Sequence, residues 1–230
     1  GFAKLEADLA GQARGFALGD ALHVQTLDFK AKASPDPAAP LNLTLSGSGI
    51  SAGGTAIDKI SALLDGTRQQ HRLRAEGSLK IDGKPLNLTL AANGGLAGQN
   101  QWQGSIGELN IAGALNLKLQ NAMRLDAGAE RVNLGAASWH ALGGSLRLEQ
   151  LTWSKQAGLV SKGRADNLHL EQLHNFYTPP VQHNLVIAAD WDLGYTQSPR
   201  GYFNLRQQGG DITLPTPRKQ PLGLQDFVLN

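Results

Sequence analysis

Apolar residues return at every second position through most of this chain. Leu41, Leu43 and Leu45 alternate with Asn42 and Thr44, and Leu86, Leu88 and Leu90 alternate with Asn87 and Thr89. Leu115, Leu117 and Leu119 alternate with Asn116 and Lys118, and Leu185, Ile187, Ala189, Trp191 and Leu193 form the longest run. Shorter runs are Leu79/Ile81, Leu146/Leu148, Leu168/Leu170, Phe203/Leu205 and Ile212/Leu214. A strand sends successive side chains to opposite faces, so each run predicts a strand with one apolar and one polar face. Leu is a mediocre strand former, so the assignment rests on periodicity and not on propensity.

Turn signals fall between the runs at Ala33-Ser-Pro-Asp-Pro37, Asp82-Gly83, Asn93-Gly-Gly95, Gly143-Gly144, Ser198-Pro199 and Gly209-Gly210, with Gly47-Ser-Gly49 read as a further turn. Their spacing predicts many short strands, about 20, joined by hairpins. Ile57–Leu64 reads as strand, and Leu170–Tyr177, ended by Pro179-Pro180, reads as one short helix or helical turn. Three runs change phase midway: Leu22/Val24 to Leu27/Phe29, Ile106 to Leu109/Ile111, and Leu146/Leu148 to Leu151/Trp153. A single extra residue swaps the faces of a strand, so each site is expected to be a β-bulge or a turn into a new strand.

Pro40-Leu-Asn-Leu-Thr-Leu45 recurs letter for letter as Pro85-Leu-Asn-Leu-Thr-Leu90, with a weaker copy at Leu115–Leu119. Gly104-Ser-Ile106…Leu109 is matched by Gly144-Ser-Leu146…Leu151. Such repeats suggest an elongated array of similar hairpins. The expected fold is all-β: an elongated, curved, largely antiparallel sheet folded into an open apolar trough. Residues 1–230 read as a single fragment of a longer repetitive groove, because the chain begins without Met and ends inside a strand-like pattern.

Composition narrows the function. The 230 residues are 41% hydrophobic and 17% charged, with 21 Lys and Arg against 19 Asp and Glu. That is too apolar for a disordered chain. The net charge is only +2 and the longest basic cluster is Arg218-Lys219, so nucleic acid is not an expected partner. Cys is absent, which excludes disulfides, thiolate metal sites and cysteine nucleophiles. No apolar run reaches the ~18–20 residues of a membrane-spanning helix.

Candidate chemistry is sparse. His169 and His174 stand five apart, off the spacing of a helical metal pair, so no metal site is expected. Asp190 and Asp192 share one strand face, with Asp211 downstream; the carboxylate pair has glycosidase-like spacing, but a solvated polar face accounts for it better. No nucleophile elbow, P-loop or dinucleotide fingerprint occurs, so no cofactor is expected. Trp102, Trp139, Trp153 and Trp191 each adjoin an apolar run and read as core residues or as the walls of an apolar groove. Three readings follow: an open apolar channel, a chaperone that templates strands on its sheet edges, and a secreted β-helix or sugar-binding module.

Leu64-Asp-Gly-Thr67, His71-Arg-Leu-Arg-Ala-Glu-Gly77, Leu86-Asn-Leu-Thr-Leu90 and Gln101-Trp-Gln-Gly-Ser-Ile106…Leu109 resemble the TamB family. So do Ala189-Asp-Trp-Asp-Leu193, Gly201-Tyr-Phe-Asn-Leu205, Gly209-Gly-Asp-Ile-Thr-Leu214 and Leu222-Gly-Leu224. The resemblance covers roughly residues 55–230; residues 1–54 fit by composition and by the Leu41 repeat. It implies an AsmA-like, bridge-type lipid-transfer protein with a trough across the periplasm of a Gram-negative envelope and an inner-membrane anchor elsewhere in the parent chain. It implies phospholipid acyl chains as cargo, a part in outer-membrane protein and autotransporter assembly, an outer-membrane barrel partner of the TamA type, and no catalytic residues. The expected groove lining is Leu41, Leu43, Leu45, Leu86, Leu88, Leu90, Leu115, Leu117, Leu119, Leu146, Leu148, Leu185, Ile187 and Trp191.

Overall fold

A computed structural model describes residues 7–19, 21–34, 36–97, 101–214 and 220–229. Arg218-Lys219 and part of the Ala33–Pro37 turn lie outside the described residues. The fold is all-β, 73% strand and 3% helix, and every strand pairing is antiparallel. Antiparallel hairpins rule out the parallel coils of a β-helix. The chain divides into two units, Gly1–Gly113 and Ala114–Asn230.

The first unit is an up-and-down meander of seven strands: β1 (Ala7–Leu18), β2 (Leu22–Ala33), β3 (Pro40–Ala52), β4 (Thr55–Thr67), β5 (His71–Ile81), β6 (Lys84–Ala97) and β7 (Gln101–Gly113), each paired with the next. Asp82 and Gly83, both at positive φ (48° and 77°), make the two-residue turn that the Asp-Gly pair predicts. Two other expected turns are not turns. Gly47-Ser-Gly49 lies inside β3 and Asn93-Gly-Gly95 inside β6, so these strands run longer than the sequence suggested. Glycine serves a different purpose there. Gly49 takes φ +59°, and Gly94 faces Gly104 across the pair, where backbone and ring approach too closely for a Cβ.

All three phase changes are irregularities within one strand. In β7 Gly107 is the extra residue between Ile106 and Glu108; in the later strand Gly144–Ser154 it is Glu149. In β2 Gln25 drops out of the pairing without a change of register, level with Gly15 and Gly49 on the neighbouring strands and with Asp58, the extra residue of β4 against β5. The extra residue does not turn the apolar set over. It cancels the change of phase, so Ile106 and Leu109 face Ala92 and Leu90 on the same side of β6.

The identical hexapeptides at 40–45 and 85–90 lie on β3 and β6, three strands apart in a meander, and so run in opposite directions. The repeat is one of face chemistry, not of a stacked unit.

The second unit contains β8 (Leu117–Leu119), β9 (Met123–Ala127), β10 (Arg131–Leu134), β11 (Ala137–Ala141), β12 (Gly144–Ser154), β13 (Gly158–His169), a 3₁₀ helix (Leu170–Asn175), β14 (Gln182–His183), β15 (Val186–Tyr195), β16 (Pro199–Gly209), β17 (Ile212–Thr213) and β18 (Val228–Leu229). The helix is the expected short one. The main sheet runs β8-β11-β12-β13-β15-β16-β18, with β10 pairing β12 and β9, while β14 and β17 form a separate two-stranded sheet.

Among the described residues no large side chain is fully withdrawn from solvent. The buried apolar residues are few, and five of the eleven are alanines: Ala137, Ala141, Ala165, Ala188 and Ala189.

Candidate functional site: the apolar sheet faces

Register turns the alternating pattern into rows that run across the strands. One row of the first unit is Gly11, Phe29, Leu45, Ala62, Ala75, Leu90 and Leu109. Beside it run Leu9, Ala31, Leu43, Leu64, Leu73, Ala92 and Ile106, and on the other side Ala13, Leu27, Gly47, Ile60, Gly77, Leu88 and Ile111. A fourth row is Phe16, Val24, Ile50, Ile57, Leu79 and Leu86. The opposite face carries Gln12, Asp28, Ser46, Ser61, Glu76, Thr89 and Asn110. Across seven strands the separation of apolar and polar faces is kept.

The expected lining residues divide by place. Leu41, Leu43, Leu45, Leu86, Leu88 and Leu90 all lie on this apolar face, with Leu45 and Leu90 in one row. Leu86 is buried at 7% exposure, and the other five are half-buried. In the second unit one row is Leu119, Trp139, Leu146, Ala165, Ala189, Leu205 and Leu229. The next is Ala137, Leu148, Gly163, Trp191 and Phe203. Leu117, Leu119, Leu146, Leu148, Ile187 and Trp191 are therefore on strands. Leu115 and Leu185 are not: Leu115 lies in the bend before β8, and Leu185 precedes β15, its carbonyl accepting the N–H of Leu170 at 3.0 Å.

The tryptophans are neither fully buried nor free. Trp102 lies against Gly94 and Gly104, and Trp191 against Gly163; Trp153 is 38% exposed. Trp191 donates its indole N–H to Ser161 Oγ at 3.0 Å. Phe29 likewise covers Gly11. The Trp102, Trp191 and Phe29 rings each fill the space of a missing side chain on the apolar face, which smooths that face.

At one end of the first unit's apolar face is a polar clasp that periodicity did not reveal. His71, 8% exposed, donates from Nδ1 to the carbonyl of Thr67 at 3.0 Å and accepts the Trp102 indole N–H at Nε2, 2.8 Å away. A carbonyl only accepts and an indole only donates, so the two partners fix the neutral Nδ1–H tautomer. Thr67 donates its N–H to Gln70 O at 2.7 Å, closing the turn that carries His71 into β5.

The carboxylates of the polar face are structural. Asp192 and Glu149 flank Lys162 at 3.4 and 3.9 Å, and the Asp192 hydrogen bond and charge hold the Lys162 ammonium above its ordinary value. Asp190 accepts from Asn204 at 3.0 Å. Asp211 accepts three backbone N–H groups, from Ile212, Gly223 and Leu224, at 2.7–3.1 Å. Desolvation pushes its carboxyl up, but the three donors outweigh it and hold Asp211 below the usual value. Among the described residues no cluster of three or more His, Cys, Asp or Glu is placed to hold a metal, and no helix is long and apolar enough to cross a membrane.

Thr67, His71 and Trp102 belong to the very stretches that resemble TamB, and they meet in one hydrogen-bonded cluster. Against known families, residues 2–230 match the model described as TamB, N-terminal domain. The chain belongs to the TamB family. The match takes in residues 2–54, which the sequence signatures did not reach. TamB proteins are envelope transport and assembly proteins and not a known enzyme family. No curated protein and no solved structure matches the chain. In this TamB domain two glycines of the signature are contact glycines: a Cβ on Gly66 would strike Gln70 O and His71, and one on Gly104 would strike Asn93 O and the Gly94 backbone.

Proposed function

We propose that the apolar rows of each unit line a groove for phospholipid acyl chains. In this reading the chain is a periplasmic segment of an inner-membrane-anchored TamB protein that carries lipid between the two membranes of a Gram-negative envelope. It supports outer-membrane protein and autotransporter assembly with a barrel partner of the TamA type. One observation carries the reading: apolar rows extend across all seven strands of the first unit, yet apart from Val24 and Leu86 their side chains stay partly exposed and pack into no deep core. A tail crossing water needs about 0.8 kcal/mol of burial for each CH₂, which such a face supplies. Leu, Ile and Ala offer no polar group at which a sliding chain would stop.

The tryptophans report directly on this. Trp102, Trp139, Trp153 and Trp191 all stand on apolar faces. Phospholipids brominated on their acyl chains quench indole fluorescence on contact, whereas lipids of the same headgroup without bromine do not. Strong quenching by the brominated lipid alone is expected. Unchanged emission at saturating lipid would reject acyl-chain binding.

A further inference from the structure

His174 and His183 belong to different elements, yet their Nε2 atoms lie 3.0 Å apart, with ring centroids 4.4 Å apart at 78°. His174 is in the last turn of the 3₁₀ helix, and His183 is on β14, whose partner β17 begins beside Asp211. Only one proton fits between two Nε2 atoms at that distance. The second nitrogen of His183, Nδ1, is buried and has no hydrogen-bond partner among the described residues.

We propose that this contact is an acid-labile latch that fastens the 3₁₀ helix to the β14–β17 sheet. The neutral pair is self-consistent: His183, whose buried Nδ1 offers no partner for a proton, carries its proton on Nε2 and donates it to the bare Nε2 of His174, whose own proton is on Nδ1. A second proton has no place in the closed arrangement. It would go either between the two Nε2 atoms, setting two N–H donors face to face, or onto His183 Nδ1, making a buried N–H with no acceptor among the described residues. Protonation therefore requires the rings to part.

The surrounding groups favour the neutral pair. Burial first, and the His174 charge second, push His183 below its ordinary 6.5; Glu171 opposes them. Tyr177 packs edge-on against His174, the ring centroids 6.1 Å apart. From β17, Ile212 stands opposite His183 and carries no charge, while the Asp211 carboxylate is turned to three backbone N–H groups. The closed latch thus binds fewer protons than the open one. Its stability is fully present above about 6.5 and is lost as the pH falls below that value.

Hydrogen exchange on the whole chain tests this. Corrected for intrinsic rates, protection of the Gln182, His183, Ile212 and Thr213 amides is expected to fall roughly tenfold or more between about pH 7.5 and about pH 5, with β12 and β13 unchanged. In His183→Gln the side-chain amide still reaches His174 but gains no proton, so the drop should vanish. Equal protection at both pH values in the unmodified chain, or the same drop in His183→Gln, would overturn the latch. Should that variant fail to fold, the ring Cε1–H resonances of the unmodified chain decide: a His183 step below 6.5 upholds the latch, and one at or above it rejects it.

Discussion

Trp102 donates its indole N–H to Nε2 of His71 across 2.8 Å, while the ring itself lies against Gly94 and Gly104. One residue of β7 thus satisfies the buried polar side chain of the first unit's apolar face and fills the space that two glycines leave. Trp102→Phe keeps most of the ring area but leaves His71 Nε2 without a donor. An unsatisfied buried acceptor costs about 1–3 kcal/mol. Urea unfolding should show that loss, and a midpoint unchanged from the parent would deny the clasp any energetic weight.

Leu86 and Leu88 share a strand and a face but differ in burial, Leu86 being 7% exposed and Leu88 half-buried. Leu86→Asp should cost several kcal/mol by burying an unpaired carboxylate. Leu88→Asp, and Leu117→Arg in the second unit, should melt close to the parent by circular dichroism while losing acyl-chain quenching. Unfolding of Leu88→Asp would place that face in a closed core, and full quenching in the folded variant would remove it from the lipid path.

Glycines on the apolar face divide into two kinds. A Cβ on Gly77 would meet only Lys59 O at 3.6 Å, an ordinary contact. Gly77→Ala should therefore leave the fold unstrained and stabilise by about 0.4–1 kcal/mol through the unfolded state. On Gly104 the same atom would strike Asn93 O, the Gly94 backbone and Trp102. Gly104→Ala should destabilise by about 1–3 kcal/mol. Thermal melts of the pair should move in opposite directions; a shared sign would contradict the contact argument.

Asp211→Asn removes the charge that gathers the Ile212, Gly223 and Leu224 amides. In the parent the folded carboxyl sits below its ordinary value of 3.8, so the clamp is fully present above that value and weakens as the pH falls through the lower folded one. Amide exchange at Gly223 and Leu224 should quicken in Asp211→Asn at neutral pH. Unaltered exchange would show that the 222–224 segment is held by other contacts.

By itself the sequence determined that the chain is made of strands with two faces, and it marked the bulges at Gly107 and Glu149 but not the register shifts at Ile57/Lys59, Ala165/Leu168 and Val186/Ile187. Period-2 alternation is a local property, and a half-covered sheet converts it directly into rows such as Leu45, Ala62, Ala75 and Leu90. The Asp82-Gly83 turn and the helix after Leu170 were equally legible, because backbone preference and chain punctuation are local too. Alternation did not distinguish Leu86 from Leu88, since burial depends on what lies over a face and not on its spacing. It also carried Leu115 and Leu185 into runs whose strands begin at Leu117 and Val186. Glycine signals misled at Gly47-Ser-Gly49 and Asn93-Gly-Gly95, because close backbone approach and turning favour the same residue. The histidines show the division most sharply. In the sequence only His169 and His174 stand near each other, at a spacing that pairs neither, whereas the structure brings His174 to His183 and His71 to Trp102. Those partners sit on different elements, and only the register of the strands and the path of the chain between them brings the rings together.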